Sequence, residues 1–193
     1  MRVLVIFAHP VETSYQTALH QVTVDALKKA GHEVDDCDLY AEGFDPVLSR
    51  DERLAYHDLS ANRASVASYV DRVLSAEALV LVYPVWNYGF PAILKGFFDR
   101  VFLPGVSFHM ADGKLTPSLH NIRKLTAVTT YGGAWWQAFL MGNPPRKTIT
   151  RLLRGTIRPG ARVRYLAHYG MNNSTPASRS KFLDDVKTHL AGF

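Results

Sequence analysis

Two stretches of this chain, Arg2-Val3-Leu4-Val5-Ile6-Phe7-Ala8 and Ala78-Leu79-Val80-Leu81-Val82-Tyr83, are apolar at nearly every position and rich in β-branched residues. A strand with one wet face alternates apolar with polar. A strand that is apolar on both faces must be covered on both, as in a parallel sheet lying between helices. Helical patterns fill the intervals. Leu19, Val22, Ala26 and Ala30 predict a helix over 14–30, with Gly31 where a carboxyl-terminal cap belongs. Residues 33–39 read as a second, less apolar strand nearer a sheet edge, and 40–60 as an irregular polar segment with a short helix around 51–57. Val66, Val70, Val73 and Leu74 line one face of a second long helix. Pro91 opens a third at its first turn, where its missing N–H costs nothing, and Ile93, Leu94, Phe97, Phe98, Val101 and Phe102 give it a broad apolar face. A strand over 124–130, a helix over 146–154, a strand over 162–168 and a helix over 178–190 complete the chain. Five strands separated by helices imply a parallel sheet with right-handed crossovers and helices on both faces. With no repeat, low-complexity tract or linker, the 193 residues read as one domain.

Composition narrows the function classes. Hydrophobic residues make up 47% and charged residues 20%, an ordinary globular balance. No apolar run reaches the ~18 residues needed to cross a bilayer, so no membrane insertion is expected. The basic and then apolar start reads as a first strand rather than a signal peptide, because the run is short and His9-Pro10-Val11-Glu12 follows without a small-residue cleavage site. Cys37 is the only cysteine, so no intrachain disulfide can form and a cytoplasmic location is expected. Its thiol reads as an inert strand residue. The formal net charge is +5, and Arg151, Arg154, Arg158, Arg162 and Arg164 are spread over a helix and its exit. They read as a solvated basic face or as a field that steers anionic cofactors inward. No aromatic residues interleave with them, so nucleic-acid binding is not expected. No metal site is expected either.

Ligands of an open parallel sheet bind beyond the carboxyl ends of its strands. Three loops leave that edge. The first is Ala8-His9-Pro10-Val11-Glu12-Thr13-Ser14-Tyr15-Gln16. Unpaired N–H groups at a helix start suit a phosphate, and His9, Thr13 and Ser14 add donors. In the other reading Thr13 or Ser14 caps the helix and His9 is a turn residue. The absence of a G-x-G-x-x-G or Walker pattern argues against a dinucleotide Rossmann domain or a P-loop NTPase. The second loop, Tyr83-Pro84-Val85-Trp86-Asn87-Tyr88-Gly89-Phe90-Pro91, carries four aromatics and two prolines. It offers stiff, flat walls to a planar ring, and Gly89 is expected to allow close backbone approach. An aromatic plug for the core is the alternative, for which a solvent-side loop is a poor place. The third, Thr129-Thr130-Tyr131-Gly132-Gly133-Ala134-Trp135-Trp136, lets the backbone pass close to a ligand at its paired glycines. Read instead as a mobile turn, it leaves two tryptophans exposed.

In this order the loops resemble those of the flavodoxin-like NAD(P)H:quinone oxidoreductase family, which includes the mammalian quinone reductases and shorter bacterial relatives. The resemblance rests on 3–14 with His9 and Thr13-Ser14, on Asp38-Leu39-Tyr40 followed by Phe44-Asp45-Pro46, and on Thr129-Thr130 with Gly132-Gly133. Its most specific part is Gly89-Phe90-Pro91-Ala92-Ile93-Leu94-Lys95-Gly96-Phe97-Phe98-Asp99-Arg100-Val101-Phe102. It covers nearly the whole chain. It implies an α/β flavodoxin-like three-layer sandwich with a five-stranded parallel sheet of order 2-1-3-4-5. It also implies a bound flavin: FMN for so short a chain, with FAD as the alternative. His9, Ser14, Tyr15 and Gln16 would hold the flavin phosphate, beside Thr13. Pro84, Val85, Trp86, Asn87 and Tyr88 would line the isoalloxazine, and Thr130, Gly132 and Gly133 would border its pyrimidine end, with Tyr131 among the aromatic walls. A homodimer with the flavin site at its interface would cover Trp135 and Trp136.

The resemblance further implies ping-pong hydride transfer from NAD(P)H, the co-substrate, through flavin N5 to a quinone-like small-molecule acceptor. The mammalian enzymes carry a tyrosine and a histidine after the paired glycines. Here that stretch, 134–143, has neither, so no catalytic acid-base pair carries over. Two other roles compete: a flavin-binding regulatory subunit of a potassium-efflux system, and a flavodoxin-type electron carrier, which the net charge of +5 disfavours because such carriers are acidic.

Overall fold

In the computed structural model, which describes residues 1–111 and 113–193, apolar runs and helical patterns resolve into alternating elements. The chain runs through β1 (Arg2–Phe7), α1 (Tyr15–Lys29), β2 (Glu33–Asp38), α2 (Arg50–Leu54), α3 (Ala67–Ser75), β3 (Ala78–Val85) and α4 (Ala92–Val101). It continues through β4 (Phe108–Ala111), β5 (Lys114–Pro117), β6 (Lys124–Tyr131), α5 (Trp135–Leu140) and α6 (Pro144–Lys147). A π-helical turn (Thr148–Leu153), α7 (Arg154–Thr156), β7 (Arg162–His168) and α8 (Pro176–Ala191) complete it. Five strands pair in parallel in the order β2-β1-β3-β6-β7, which is the expected order once the separate antiparallel hairpin β4–β5 is set aside.

The strands that are apolar on both faces sit inside this sheet. Val3, Val5 and Phe7 pack with Leu19 and Leu27 of α1 and with Phe182, Val186 and Leu190 of α8. Leu4, Ile6 and Ala8 pack with Val70 and Val73 of α3 and with Leu94, Phe97 and Val101 of α4. β3 divides its side chains the same way, with Val80 and Val82 on one side and Leu79, Leu81 and Tyr83 on the other. Each fully buried aliphatic side chain contributes about 1.5–3 kcal/mol, so both helical layers are held by the same two strands. Cys37 is buried on β2, and burial pushes its thiol up to about 12, which keeps it protonated.

Four expectations need correction. Leu74 is not on the inner face of α3: it is 39% exposed, and the inward stripe is Val66, Val70 and Val73. The helix read over 146–154 is interrupted, because the backbone widens into a π turn between α6 and α7. The hairpin β4–β5 and the short α5 had no counterpart in the sequence reading. Pro91 lies one position before the helix, as the N-cap of α4 rather than inside its first turn.

α4 follows the second loop, so its seating fixes that loop. Arg100 is buried, with its guanidinium 5.5 Å above the Phe44 ring and its Nε donating to Glu52 Oε1 at 3.1 Å. Burial alone would raise the Glu52 carboxyl, but hydrogen bonds from Ser65, Ser49 and Arg100 outweigh it and hold the group at about 2. Gly96, one turn earlier, lies directly against Pro46: a Cβ there would overlap the Pro46 carbonyl, Cα and Cβ. In an unobstructed helix, Gly→Ala stabilises by about 0.5–1 kcal/mol. At this position the sign reverses. Gly96→Ala is expected to destabilise by about 1–3 kcal/mol, the usual cost of forced overpacking, as read from the urea midpoint at unchanged m-value.

Candidate functional site

All five parallel strands end at one edge, and the loops that leave it there converge. In the first, Ser14 is the N-cap of α1: its Oγ accepts from Thr17 N–H at 3.1 Å and lies 3.0 Å from Thr17 Oγ1, which itself donates to the Val11 carbonyl. The capping reading therefore holds for Ser14, whose hydroxyl is committed within the loop. The N–H groups of Tyr15 and Gln16 are left over. Neither donates to an acceptor among the described residues, as expected for the first turn of a helix, where unpaired donors carry partial positive charge. His9 Nδ1 accepts from Val11 N–H at 3.1 Å, which leaves Nε2 as the donor of the neutral ring. The Gln16 side chain is buried, donating to the Val128 carbonyl and accepting from Thr130 Oγ1 at 3.0 Å, so it ties β6 to α1. Tyr15 Oη reaches the Arg179 carbonyl on α8, and burial pushes its phenol up to about 12.

The second loop folds back on itself at once. Trp86 and Gly89 exchange backbone hydrogen bonds of 3.2 and 2.8 Å around Asn87 (φ 49°) and Tyr88 (φ 55°). Two successive left-handed residues make a type I′ turn. Asparagine tolerates that conformation; tyrosine does so only at a cost of about 1–2 kcal/mol. The close approach expected of Gly89 is absent, since a Cβ there would make only ordinary contact with the Trp86 carbonyl at 3.6 Å. The strain lies in its two neighbours instead. The N–H groups of Asn87 and Tyr88 donate to no acceptor among the described residues. The Trp86 ring stands 5.9 Å from that of His9, joining this loop to the first.

In the third segment Tyr131 is the last residue of β6 and not a loop residue, and its side chain turns inward. Its hydroxyl donates to Asn143 Oδ1 at 2.7 Å and lies 2.6 Å from Tyr165 Oη, and its ring stacks on Tyr169 at 4.6 Å. Burial holds Tyr131 and Tyr165 far above the ordinary phenol range, so both remain hydrogen-bond donors at any physiological pH. The glycines after it are crowded: a Cβ on Gly133 would meet Gln137 Oε1, and one on Gly132 would meet the Asn172 side chain at 3.2 Å. A fourth segment supplies Asn172. It follows β7 and is tied to the third by Gly170 N–H to the Gly133 carbonyl and Asn172 N–H to the Gly132 carbonyl.

These segments enclose two adjoining cavities. One, of about 330 Å³, lies among His9, Ser14, Tyr15, Gln16, Pro84 and Trp86, closed by Thr130, Met171 and Asn172. The other, of about 230 Å³, lies among Asn87, Tyr88, Tyr131 and Gly133. Val85 and Gly132 line both. Of the residues expected at a site, only Thr13 lies away from these cavities, exposed on the outer side of the loop. Met171 and Asn172 escaped the sequence reading. The signal for them was Gly170 two residues after the last parallel strand, on the same ligand-binding edge. Among the described residues no cluster of three or more His, Cys, Asp or Glu is arranged to hold a metal, and no helix is long and apolar enough to cross a membrane.

With this geometry in hand, the chain can be set beside known proteins. The Flavodoxin_2 family, described as having a flavodoxin-like fold, matches residues 1–190. A protein of Rattus norvegicus named NAD(P)H dehydrogenase (quinone) 1 is 32% identical over 148 residues, covering 68% of this chain and 54% of the rat protein. The chain thus spans about half the length of the curated relatives it matches. Among solved structures, Smu.1420 from Streptococcus mutans UA159 superposes over all of both chains with a TM-score of 0.88 at 27% identity. An FMN-dependent NADH-azoreductase from Bacillus anthracis, solved in complex with FMN, shares the fold with a TM-score of 0.79 at 16% identity, over 99% of this chain and 98% of that one.

The strained turn gives a test of whether stability or binding explains its residues. Tyr88→Gly creates Asn-Gly, the pair that type I′ turns prefer, and is expected to raise unfolding stability by about 0.5–1 kcal/mol in a denaturant titration. A loss of stability would show that Tyr88 is held there by packing.

Proposed function

The chain belongs to the Flavodoxin_2 family of flavodoxin-like proteins, and from that premise we propose that it is an NAD(P)H-dependent quinone oxidoreductase with FMN as its bound cofactor. One observation carries this reading. The backbone donors of Tyr15 and Gln16 and of Asn87 and Tyr88, without partners among the described residues, belong to residues that line two cavities sharing Val85 and Gly132. A ligand suited to both has an anionic end and a planar, polar-edged end, which is the chemistry of a flavin mononucleotide. A single helix start offers a place for one phosphate, which favours FMN over FAD. The name of the rat relative supports the NAD(P)H and quinone part of this reading, and that of the B. anthracis neighbour the FMN part.

In this assignment the N–H groups of Tyr15 and Gln16 hold the phosphate, with His9 Nε2–H as an added donor. Thr130 and the Gln16 side chain act through each other, fixing the distance between β6 and α1. Trp86 and Tyr88 form the flat walls of the ring site, and the N–H groups of Asn87 and Tyr88 meet its polar edge. There they stabilise negative charge in the way of an oxyanion hole, without reorganising when it appears. The Tyr131 hydroxyl is engaged by Asn143 and Tyr165, so it holds the backbone before the glycines in place while the residue borders the second cavity. The chemistry FMN supplies when bound is two-electron transfer from a reduced nicotinamide to a quinone-like acceptor. Trp86 and Tyr88 would border the space that a nicotinamide and then an acceptor would occupy in turn, a ping-pong order. Trp135, Trp136 and Phe139 of α5, 64%, 52% and 71% exposed, form an apolar surface that we assign to a second copy of the chain. The protein is assigned to the cytoplasm, where its thiol stays reduced.

The phosphate contact separates this reading from a generic aromatic pocket. Tyr15→Pro removes one N–H donor while keeping a backbone compatible with the first helical position. It is expected to weaken FMN binding about tenfold, the effect of losing one hydrogen bond to a charged group, and riboflavin binding by less than about twofold. Tyr15→Phe, which keeps the N–H, controls for the lost phenol. Equal losses for FMN and riboflavin in a fluorescence-quenching titration would contradict the assignment.

A further inference from the structure

At the opposite edge of the sheet, where the strands begin, the register sets Lys124 beside Arg162 and Thr126 beside Arg164. Residues two apart on a strand share a face. On this face the later positions, Val128 and Leu166, pack in the core beneath α8. The same surface is therefore apolar under the middle of the helix and cationic under its end. There Lys124, Thr126, Arg162, Arg164, His189 and Phe193 line a cavity of about 190 Å³.

Some of the chain's basic groups are paired: Arg2 with Glu33 and Asp35, Arg72 with Asp35 and Glu42, Arg100 with Glu52, Arg123 with Glu77. Lys124, Arg162 and Arg164 form no ion pair among the described residues. Lys124 Nζ stands 4.9 Å from the centre of the Phe193 ring, and the last carbonyls of α8, with about half a negative charge, offset part of the charge of the three cations. His189 adds an enclosed Nε2 with no hydrogen-bond partner among the described residues. Burial, and then the charges of Arg164 and Lys124, lower its pKa, so the ring is neutral at pH 7. An anion with several acceptor oxygens would neutralise the cations that line the cavity.

We infer that this cavity is a binding site for a compact tetrahedral oxyanion of the phosphate class. It is distinct from the flavin site: Lys124 and Tyr131 are the two ends of β6, roughly 23 Å apart at about 3.3 Å per residue. It does not rest on the proposed redox function.

The test is a titration of the full chain with inorganic phosphate, and separately with glycerol phosphate, at constant ionic strength. The readouts are the Tm and the His189 imidazole followed by ¹⁵N NMR. A saturable rise in Tm in the millimolar range is expected, together with a perturbed His189 signal whose titration midpoint moves up. Response to both ligands assigns the site to phosphate esters as well as the free ion, and response to inorganic phosphate alone assigns it to the free ion. Arg162→Gln with Arg164→Gln, both on exposed positions of the edge strand, should weaken binding at least fivefold. Arg151→Gln with Arg154→Gln, which removes equal charge outside the cavity, should not. A Tm rise that leaves His189 unmoved, a matching rise with chloride, or equal weakening in the two double variants would overturn the site.

Discussion

The burial of β1 and β3 on both faces is the constraint on which the rest of the structure depends. Neither strand can lie at an edge or face water, so helices must cover both sides, and only parallel strands with helical crossovers arrange that. Parallel strands all end at the same edge. The loops after β1, β3, β6 and β7 are therefore brought together by the core itself, with no further interaction needed to gather them.

The same rigidity lets that edge hold groups a softer scaffold would relax. Tyr88 keeps a left-handed backbone, and four backbone donors, those of Tyr15, Gln16, Asn87 and Tyr88, lack partners among the described residues. Strain of this kind costs of order 1–3 kcal/mol per residue and persists only where its surroundings over-determine it. Here the surroundings are β3, fully buried through Tyr83, and α4, pinned by Gly96 against Pro46 and by Arg100 against Glu52. Behind the third segment, the Tyr131–Tyr165–Asn143 hydrogen bonds do the same for the paired glycines.

The five parallel strands, the four long helices and the site loops were legible because each leaves a periodic or compositional trace, and the sheet order followed from the family resemblance. What stayed hidden had physical reasons. The β4–β5 hairpin has little buried face: Met110 and Leu115 are both exposed, so the alternation that marks a half-buried strand is missing. α5 buries only Ala138 and exposes Trp135, Trp136, Phe139 and Leu140, so no amphipathic period exists to read. At Ser14 the sequence supported capping and phosphate contact alike, since one residue type serves both. The Thr17 N–H shows that Ser14 caps the helix, while Ser14 also lines the first cavity. Tyr131 lines the second cavity, and what the sequence did not disclose is that its hydroxyl turns inward to Asn143 and Tyr165. The cationic cavity under α8 depends on the pairing of β6 with β7, a long-range fact no local pattern encodes.

The central claim, that the carboxyl edge of this sheet is a flavin site, is tested most directly by purifying the protein, releasing any bound chromophore with acid, and identifying it by absorbance and mass. FMN, recovered as isolated or bound stoichiometrically when added back, is the expected result. A colourless protein that leaves the fluorescence of added FMN unquenched would contradict the claim.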